Sequence, residues 1–169
     1  MQLFRQLSIK QVPGVIYLHS MPGRDEDIEY SFKQIKHNKI HKIVALVEID
    51  EIKTQSPDYY KAIETNTVPV EKIIRVPIPD FGIPETEVEI GTFKDAIEES
   101  HSLLKRGKNI LVHCAAGIGR TGTFTAGLLL RFGIAFDEAI DMVERKGSTA
   151  ETPDQLEFLF ELAKEYRGS

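Results

Sequence analysis

The chain has 169 residues, of which 41% are hydrophobic and 28% charged, enough for one domain with a buried core but with no apolar run that could cross a bilayer. The net charge of −5 argues against nucleic acid or an anionic membrane as the main partner. Cys114 is the single cysteine, which excludes an intrachain disulfide and a Cys-rich zinc site. The first residues carry no secretory pattern, so we expect a cytoplasmic protein, and the oligomeric state stays open.

Short apolar runs predict four strands, and helical patterns separate and follow them. The strands cover residues 15–18, 43–47, 72–76 and 109–113. The helices cover residues 25–38, 58–64, 85–105, 121–132, 136–146 and 153–166. Continuous apolar runs such as Ile-Val-Ala-Leu-Val at 43–47 are typical of strands that are buried on both faces. Alternation of strands and helices therefore predicts one α/β domain, with a mainly parallel central sheet and helices on both faces.

The segment after the last predicted strand carries the chemistry. Cys114 follows residues 109–113 directly, at the edge of the sheet where ligands of such folds gather. Gly117 and Gly119 allow the backbone to curl so that its N–H groups converge just before a helix begins. This pattern is typical of an anion cradle, and we expect phosphate to be bound by the residues Ala115, Ala116, Gly117, Ile118, Gly119 and Arg120.

Cys114 is the candidate nucleophile. Converging N–H groups and a helix N-terminus stabilise negative charge on sulfur, so we expect a thiolate near neutral pH. Arg120 comes six residues later, and the curled loop brings its guanidinium over the ring, where it can bind two phosphate oxygens at once. A buried cysteine before an ordinary glycine turn is the alternative, but the spacing His-Cys-x5-Arg-Thr disfavours it.

Residues 113–122, His-Cys-Ala-Ala-Gly-Ile-Gly-Arg-Thr-Gly, resemble the HCxxGxxR[ST]G signature loop of the cysteine-dependent protein tyrosine and dual-specificity phosphatases. Residues 78–84 resemble the mobile acid loop of that family, and 122–126 resemble its compact atypical dual-specificity members. Residues 21–23, Met-Pro-Gly, resemble the kinase-associated phosphatases. The resemblance implies a protein tyrosine phosphatase-like fold, a single catalytic domain over residues 1–169, and phosphate monoester hydrolysis without a metal or a cofactor.

The resemblance also implies roles for individual side chains. Cys114 would attack phosphorus to give a phosphocysteine, while Asp80 would act as general acid and then as base, with Glu85 as the competing acid. Arg120 and the loop N–H groups would complement the charge on the phosphoryl oxygens. Thr121 would donate its hydroxyl to the departing sulfur, although a helix-capping role is the alternative.

Other polar residues receive weaker predictions. His113 would order the loop rather than carry a proton, and Gln155, in a segment that resembles the family's glutamine loop, would help to position water. Glu151 departs from the pattern of the classical members, which carry a second glutamine there, so the role of Gln155 stays open. The remaining histidines show no ligand spacing, and we expect surface or capping positions for His19, His37, His41 and His101.

The expected substrate is a phosphorylated protein or peptide. We expect phosphotyrosine hydrolysis, and also that of phosphoserine and phosphothreonine, because the chain lacks the tyrosine-bearing insert that deepens the pocket of larger members. Ala115, Ala116 and Ile118 place no lysine in the loop, which disfavours multiply phosphorylated headgroups. Two alternatives remain: the same chemistry on an inositol phosphate, a lipid or an RNA 5′ end, and a phosphopeptide-binding module without turnover.

Overall fold

A five-stranded sheet forms the centre of residues 4–168, the part of the chain that the computed structural model describes. The strands are β1 (Arg5–Ser8), β2 (Val15–His19), β3 (Ile40–Ala45), β4 (Lys72–Arg75) and β5 (Asn109–His113). Their spatial order is β1-β2-β5-β3-β4, and all neighbours pair in parallel except β1, which is an antiparallel edge strand beside β2. The mainly parallel sheet is confirmed, whereas β1 was not expected from the apolar pattern.

Seven helices accompany the sheet within the described residues. They are α1 (Ile28–His37), α2 (Ile49–Gln55), α3 (Pro57–Glu64), α4 (Glu87–Lys105), α5 (Gly119–Arg131), α6 (Phe136–Glu144) and α7 (Pro153–Arg167). All six predicted helices are present, and α2 is an additional short one. Within residues 4–168, no helix combines the length and the apolar character that crossing a membrane requires.

The sheet separates two hydrophobic cores. The larger core contains Ile16 and Val112 from the strands, together with side chains of α4, α5, α6 and α7. The smaller core lies on the opposite face and contains Tyr17 and Leu111 with Ile35 of α1. Successive strand residues point to opposite faces, so this division accounts for the continuous apolar runs. Helices on both faces of the sheet are therefore confirmed.

Two helices begin later than predicted because side chains fix the preceding loops. α1 starts three residues late, since the Glu26 carboxylate accepts hydrogen bonds from the Gly23 N–H group and from the His19 ring. α4 starts two residues late, because Thr86 and Glu89 form a capping box that satisfies the first free N–H groups of the helix. Both loops border the site described below.

The topology places the end of β5 and the beginning of α5 at one edge of the sheet. β5 lies between the parallel strands β2 and β3, and α5 follows it after residues 114–118. This connection therefore lies at the carboxyl edge, where open parallel sheets bind ligands. Residues 1–3 and 169 lie outside the described residues, and with them part of the segment on which the expected absence of a secretory signal depends.

Candidate active site

The sulfur of Cys114 lies at the bottom of a ring formed by residues 114–120. The side chain is buried, and its Sγ accepts hydrogen bonds from the Thr121 hydroxyl at 3.1 Å and from the Gly117 N–H group at 3.3 Å. Both donors stabilise negative charge on the sulfur. The structure thus brings Thr121 to the atom with which the sequence associated it.

Most carbonyl groups of the ring accept hydrogen bonds from outside it. The accepting oxygens belong to Cys114, Ala115, Gly117 and Ile118. The donors at 2.6–3.1 Å include the His113 ring, the Met21 N–H, the Ser148 hydroxyl and the Thr149 N–H. In a trans peptide the N–H group points opposite to the carbonyl, so the N–H groups that follow these carbonyls turn inward. They belong to the predicted phosphate-binding residues Ala115, Ala116, Ile118 and Gly119.

The two glycines of the ring are required for different reasons. Gly117 has a φ of +78°, and a Cβ there would lie 2.7 Å from the backbone of His19 and Ser20. Only glycine fits this conformation and this close approach. Gly119 already belongs to α5, and a Cβ there would collide with the carboxylate of Glu151. The curl of the backbone therefore depends on Gly117, whereas Gly119 makes room for a neighbouring side chain.

Arg120 is buried, and one edge of its guanidinium is held in place. Its Nη1 donates to both carboxylate oxygens of Glu51 at 3.0 Å and to the carbonyl of Ile78 at 2.9 Å. Within the described part of the chain, Nε finds no hydrogen-bond acceptor, although it is buried. Nε and Nη2 share the remaining edge of the guanidinium, which leaves a pair of donors with the geometry that two oxygens of an anion require.

Asp80 lies at the rim of the ring on the loop that precedes α4. Its Oδ1 is 3.5 Å from Nη2 of Arg120, and its side chain is 63% exposed. The competing acid, Glu85, lies two residues before α4, and its backbone N–H group donates to the carboxylate of Glu89. The structure therefore places Asp80 beside the Nε–Nη2 edge of Arg120.

His113 is fully buried behind the ring. Its Nδ1 lies 3.0 Å from the carbonyl oxygen of Cys114, and its Nε2 lies 2.9 Å from the hydroxyl of Tyr59. Burial lowers the pKa of His113 from 6.5 to about 4, so the ring is neutral near neutral pH. A neutral ring that donates to the loop carbonyl is the arrangement expected of a residue that orders the loop.

Gln155 lies beside residues 78–84, the loop that carries Asp80. Its Oε1 accepts hydrogen bonds from the N–H groups of Glu151 at 2.7 Å and Thr152 at 3.3 Å, and its Nε2 donates to the carbonyl of Gly82 at 3.0 Å. The amide thus joins the beginning of α7 to the loop that carries Asp80. Positioning of water by Gln155 stays a prediction.

The expectation for His19 is wrong. Instead of a surface or capping residue, His19 is a buried residue at the end of β2, paired in register with His113. Its Nε2 lies 2.8 Å from the Glu26 carboxylate, and its ring packs on Phe4 with a centroid separation of 4.6 Å. Its position directly after an apolar run was the signal that could have indicated burial.

The sequence patterns assigned no role at the site to three further residues. They are Glu51 on α2, Ser148 before α7 and Arg5 on β1, and each of them bonds to the ring. They lie 31 to 112 residues from their partners along the chain, so no local motif indicates them. Within residues 4–168, no group of three or more His, Cys, Asp or Glu side chains is arranged to hold a metal ion.

The fold and the site together define a class of protein. A mainly parallel sheet that presents a buried cysteine in a ring of N–H groups, with a buried arginine in the ring and an aspartate at its rim, is the arrangement of a cysteine-dependent phosphatase. Residues 18–134 match the family model described as "Polymorphic toxin system, DSP-PTPase phosphatase". The chain belongs to this family.

Curated relatives are similar to the chain over part of its length. Human tyrosine-protein phosphatase non-receptor type 2 is 35% identical over 89 residues, which are 48% of this chain and 21% of the relative. Receptor-type tyrosine-protein phosphatase eta of Gallus gallus is 39% identical over 70 residues, 41% of this chain and 4% of the relative. The matched segments thus span about a fifth of these relatives or less.

Solved structures share the fold over nearly the whole chain. Kinase associated phosphatase, with its catalytic-site cysteine replaced by serine, aligns with a TM-score of 0.79 and 22% identity, covering 98% of this chain and 96% of that one. Tk-PTP in the active form aligns with a TM-score of 0.71 and 25% identity, covering 95% of this chain and 97% of that one. PTPMT1 in complex with PI(5)P aligns with a TM-score of 0.72 and 19% identity, covering 90% of this chain and 92% of that one. The protein tyrosine phosphatase-like fold is confirmed.

Proposed function

We propose that the chain is a phosphoprotein phosphatase, a single catalytic domain that hydrolyses phosphotyrosine, and also phosphoserine and phosphothreonine, through a phosphocysteine. The observation that carries the proposal is the placement of Cys114 Sγ within a ring of inward N–H groups, beside the edge of Arg120 whose buried Nε has no acceptor within the described residues. A cytoplasmic location belongs to the same proposal, because a catalytic thiol works best in a reducing compartment.

In the first step, the Cys114 sulfur attacks phosphorus in line with the bond that breaks. The ring N–H groups and Arg120 hold the three non-bridging oxygens and complement their charge. As the P–O bond breaks, the departing oxygen takes a proton from Asp80, whose carboxyl group lies 3.5 Å from Nη2 of Arg120. The products are a phosphocysteine, a free phenol or alcohol, and an ionised Asp80.

In the second step, water attacks the phosphorus of the phosphocysteine. Its proton passes to Asp80, and the P–S bond breaks so that the electron pair returns to sulfur. The Thr121 hydroxyl and the Gly117 N–H group receive the negative charge on Sγ, since both already donate to that atom. Inorganic phosphate leaves, and no cofactor takes part in either step.

The rim of the site favours an aromatic phosphate ester. Phe81, which follows Asp80, is 58% exposed, and Ile118 of the ring is 38% exposed, so apolar surface borders the cradle on two loops. A phenyl ring can pack on such surface. Ala115 and Ala116 add no charge that would bind a second phosphate. A phenolate is also a better leaving group than an alkoxide, and phosphotyrosine is therefore the preferred substrate.

The test compares four substrates with metals chelated: a phosphotyrosine peptide, a phosphothreonine peptide, a phosphatidylinositol phosphate and an RNA 5′-triphosphate. We expect the phosphotyrosine peptide to be hydrolysed fastest, and Cys114→Ser to lower its turnover by about 10⁴-fold or more while the peptide still binds. Faster turnover of the lipid or the RNA contradicts a phosphoprotein substrate. Peptide binding without turnover by the unsubstituted chain indicates a binding module, and activity that survives Cys114→Ser contradicts the mechanism.

A further inference from the structure

Arg5 connects the edge strand β1 with two loops of the site. Its Nη2 donates to the carbonyl of Gly117 at 2.8 Å, and its Nη1 donates to the Ser148 hydroxyl at 3.0 Å and to the carbonyl of Lys146 at 2.6 Å. The Ser148 hydroxyl in turn donates to the same Gly117 carbonyl at 2.6 Å. One carbonyl of the ring is thus held from outside by a guanidinium and a hydroxyl together.

The Gly117 carbonyl controls the direction of a phosphate-binding N–H group. The peptide that joins Gly117 to Ile118 is trans, so pulling its oxygen outward turns the Ile118 N–H group inward. The other outward carbonyls are held by backbone N–H groups or by the neutral His113 ring. A hydrogen bond from a charged donor is stronger and more strictly oriented than these. Gly117, whose φ is +78°, has no Cβ, so its backbone dihedral angles are less restricted than those of other residues.

The charge of Arg5 is directed at the ring. All three groups that accept its hydrogen bonds within the described residues are neutral, so no carboxylate among them offsets the guanidinium. Burial lowers the pKa of Arg5, and the nearby Cys114 sulfur acts in the opposite direction. A positive charge behind the ring favours an anion within it.

We infer that Arg5 is a positioning residue for phosphate binding, which holds the Ile118 N–H group toward the phosphate and places a positive charge behind the ring. The inference rests on the proposed function. It assigns β1 a part in the site, because this strand, antiparallel to β2, carries the guanidinium to the back of the loop.

The first test measures binding of tungstate, a non-reacting oxyanion, to Arg5→Met, Arg5→Lys and the unsubstituted chain. We expect Arg5→Met to weaken tungstate binding about 10-fold to 100-fold, the scale of losing one oriented oxyanion donor, and Arg5→Lys to recover part of the loss because it retains the charge. Arg106→Met, an exposed arginine at the end of α4, is the matched control and leaves binding unchanged. Equal affinities of Arg5→Met and the unsubstituted chain overturn the inference.

A second measurement separates positioning from folding. If Arg5→Met does not fold, Ser148→Ala removes the other donor to the Gly117 carbonyl, and we expect it to weaken tungstate binding while kcat/KM falls in proportion. The amide resonance of Ile118 reports directly: tungstate shifts it in the unsubstituted chain and shifts it less in Arg5→Lys. An equal shift overturns the inference. If the unsubstituted chain hydrolyses phosphotyrosine and the Arg5 and Ser148 variants bind tungstate and hydrolyse the substrate equally well, the inference alone is contradicted. If the unsubstituted chain neither binds tungstate nor hydrolyses the substrate, both proposals are contradicted.

Discussion

His113 uses both of its ring nitrogens, and this fixes its protonation state. A carbonyl oxygen can only accept, so Nδ1 carries the proton that is donated to Cys114, and Nε2 accepts from the hydroxyl of Tyr59. Protonation of Nε2 would require the Tyr59 hydroxyl to rotate and accept instead, and it would place a charge in a buried site near Arg120. The neutral ring is therefore part of the folded structure of the loop.

The neutral state of His113 predicts how stability depends on pH. Because burial lowers the pKa from 6.5 to about 4, the unfolded chain binds one more proton than the folded chain between these values. We expect stability to fall as pH drops through this window, by about 3 kcal/mol from this residue. Urea unfolding at a series of pH values measures the slope.

The variant His113→Asn isolates this contribution. Asparagine retains a donor for the Cys114 carbonyl but has no titrating ring, so its stability should fall less between pH 6.5 and about 4. His37→Asn, at an exposed histidine of α1, controls for the loss of a histidine as such. An unchanged pH slope in His113→Asn would show that His113 is not held neutral.

At the scale of elements, α7 is linked to the loop of residues 78–84, which carries Asp80, through Gln155. The capping box of α7 uses the amide oxygen, and the amide nitrogen donates to Gly82, two residues after Asp80. Another contact that holds this loop is the hydrogen bond from Arg120 to the carbonyl of Ile78. Asp80 thus lies between two anchored carbonyls, which keep its side chain near the ring.

We expect Gln155→Glu to weaken this link. The substitution retains an oxygen for the N–H groups at the start of α7 but replaces the donor to Gly82 with an acceptor. Turnover of a phosphotyrosine peptide should fall about tenfold, because misplacing a catalytic group by a fraction of an ångström has effects of this size. Nitrophenyl phosphate, whose leaving group needs less help from an acid, should be affected less.

Steady-state kinetics with both substrates check this prediction. Asp80→Asn defines the full loss of the acid, and adding Gln155→Glu to it should have no further effect if the link acts through Asp80. Glu85→Gln, at the competing acid, is the matched control and should leave the ratio of the turnover rates of the two substrates unchanged. An equal loss on both substrates would show that Gln155 acts elsewhere in the site.

The elements found from the sequence are those whose local pattern matches their tertiary surroundings. β5 was predicted at its observed bounds because both of its faces are buried. β1 was missed because it is short and only Leu7 of its four residues is fully buried. α2 has seven residues with Ile52 buried, too few for a helical pattern to appear. β3 spans 40–45 instead of 43–47, because Leu46 and Val47 are buried beyond its last parallel pair.

The residues of the site also differ in whether a local sequence pattern indicates them. Cys114, Arg120 and Thr121 lie within eight consecutive residues, so a contiguous motif revealed their association. Arg5 and Glu51 reach the ring from β1 and α2, the two elements that the sequence did not indicate. Their roles depend on strand pairing and helix placement across many residues, which hydrophobic periodicity does not encode. The centre of the site could therefore be predicted, while the residues that support it required the structure.

At the scale of the whole molecule, the anion site belongs to a protein with a net charge of −5. Carboxylates border the ring: Asp80 and Glu51 contact Arg120, and Glu151 packs against Gly119. These groups offset the charge of Arg120 without removing the oriented donors of the ring. The field around the site therefore favours a single phosphate that is carried by a neutral or basic segment.

We expect phosphotyrosine peptides flanked by lysines to be hydrolysed with a higher kcat/KM than matched peptides flanked by glutamates. The ratio of kcat/KM for the lysine-flanked peptide to kcat/KM for the glutamate-flanked peptide should fall as salt is raised from about 20 to about 300 mM. The reason is that the screening length shortens from about 20 Å to about 6 Å. Glu151→Gln should lower the ratio at low salt, whereas Glu161→Gln, at an exposed position of α7 paired with Lys164, should leave it nearly unchanged. A ratio that is insensitive to salt, or equally sensitive to both substitutions, would show that the carboxylates at the ring do not select the substrate.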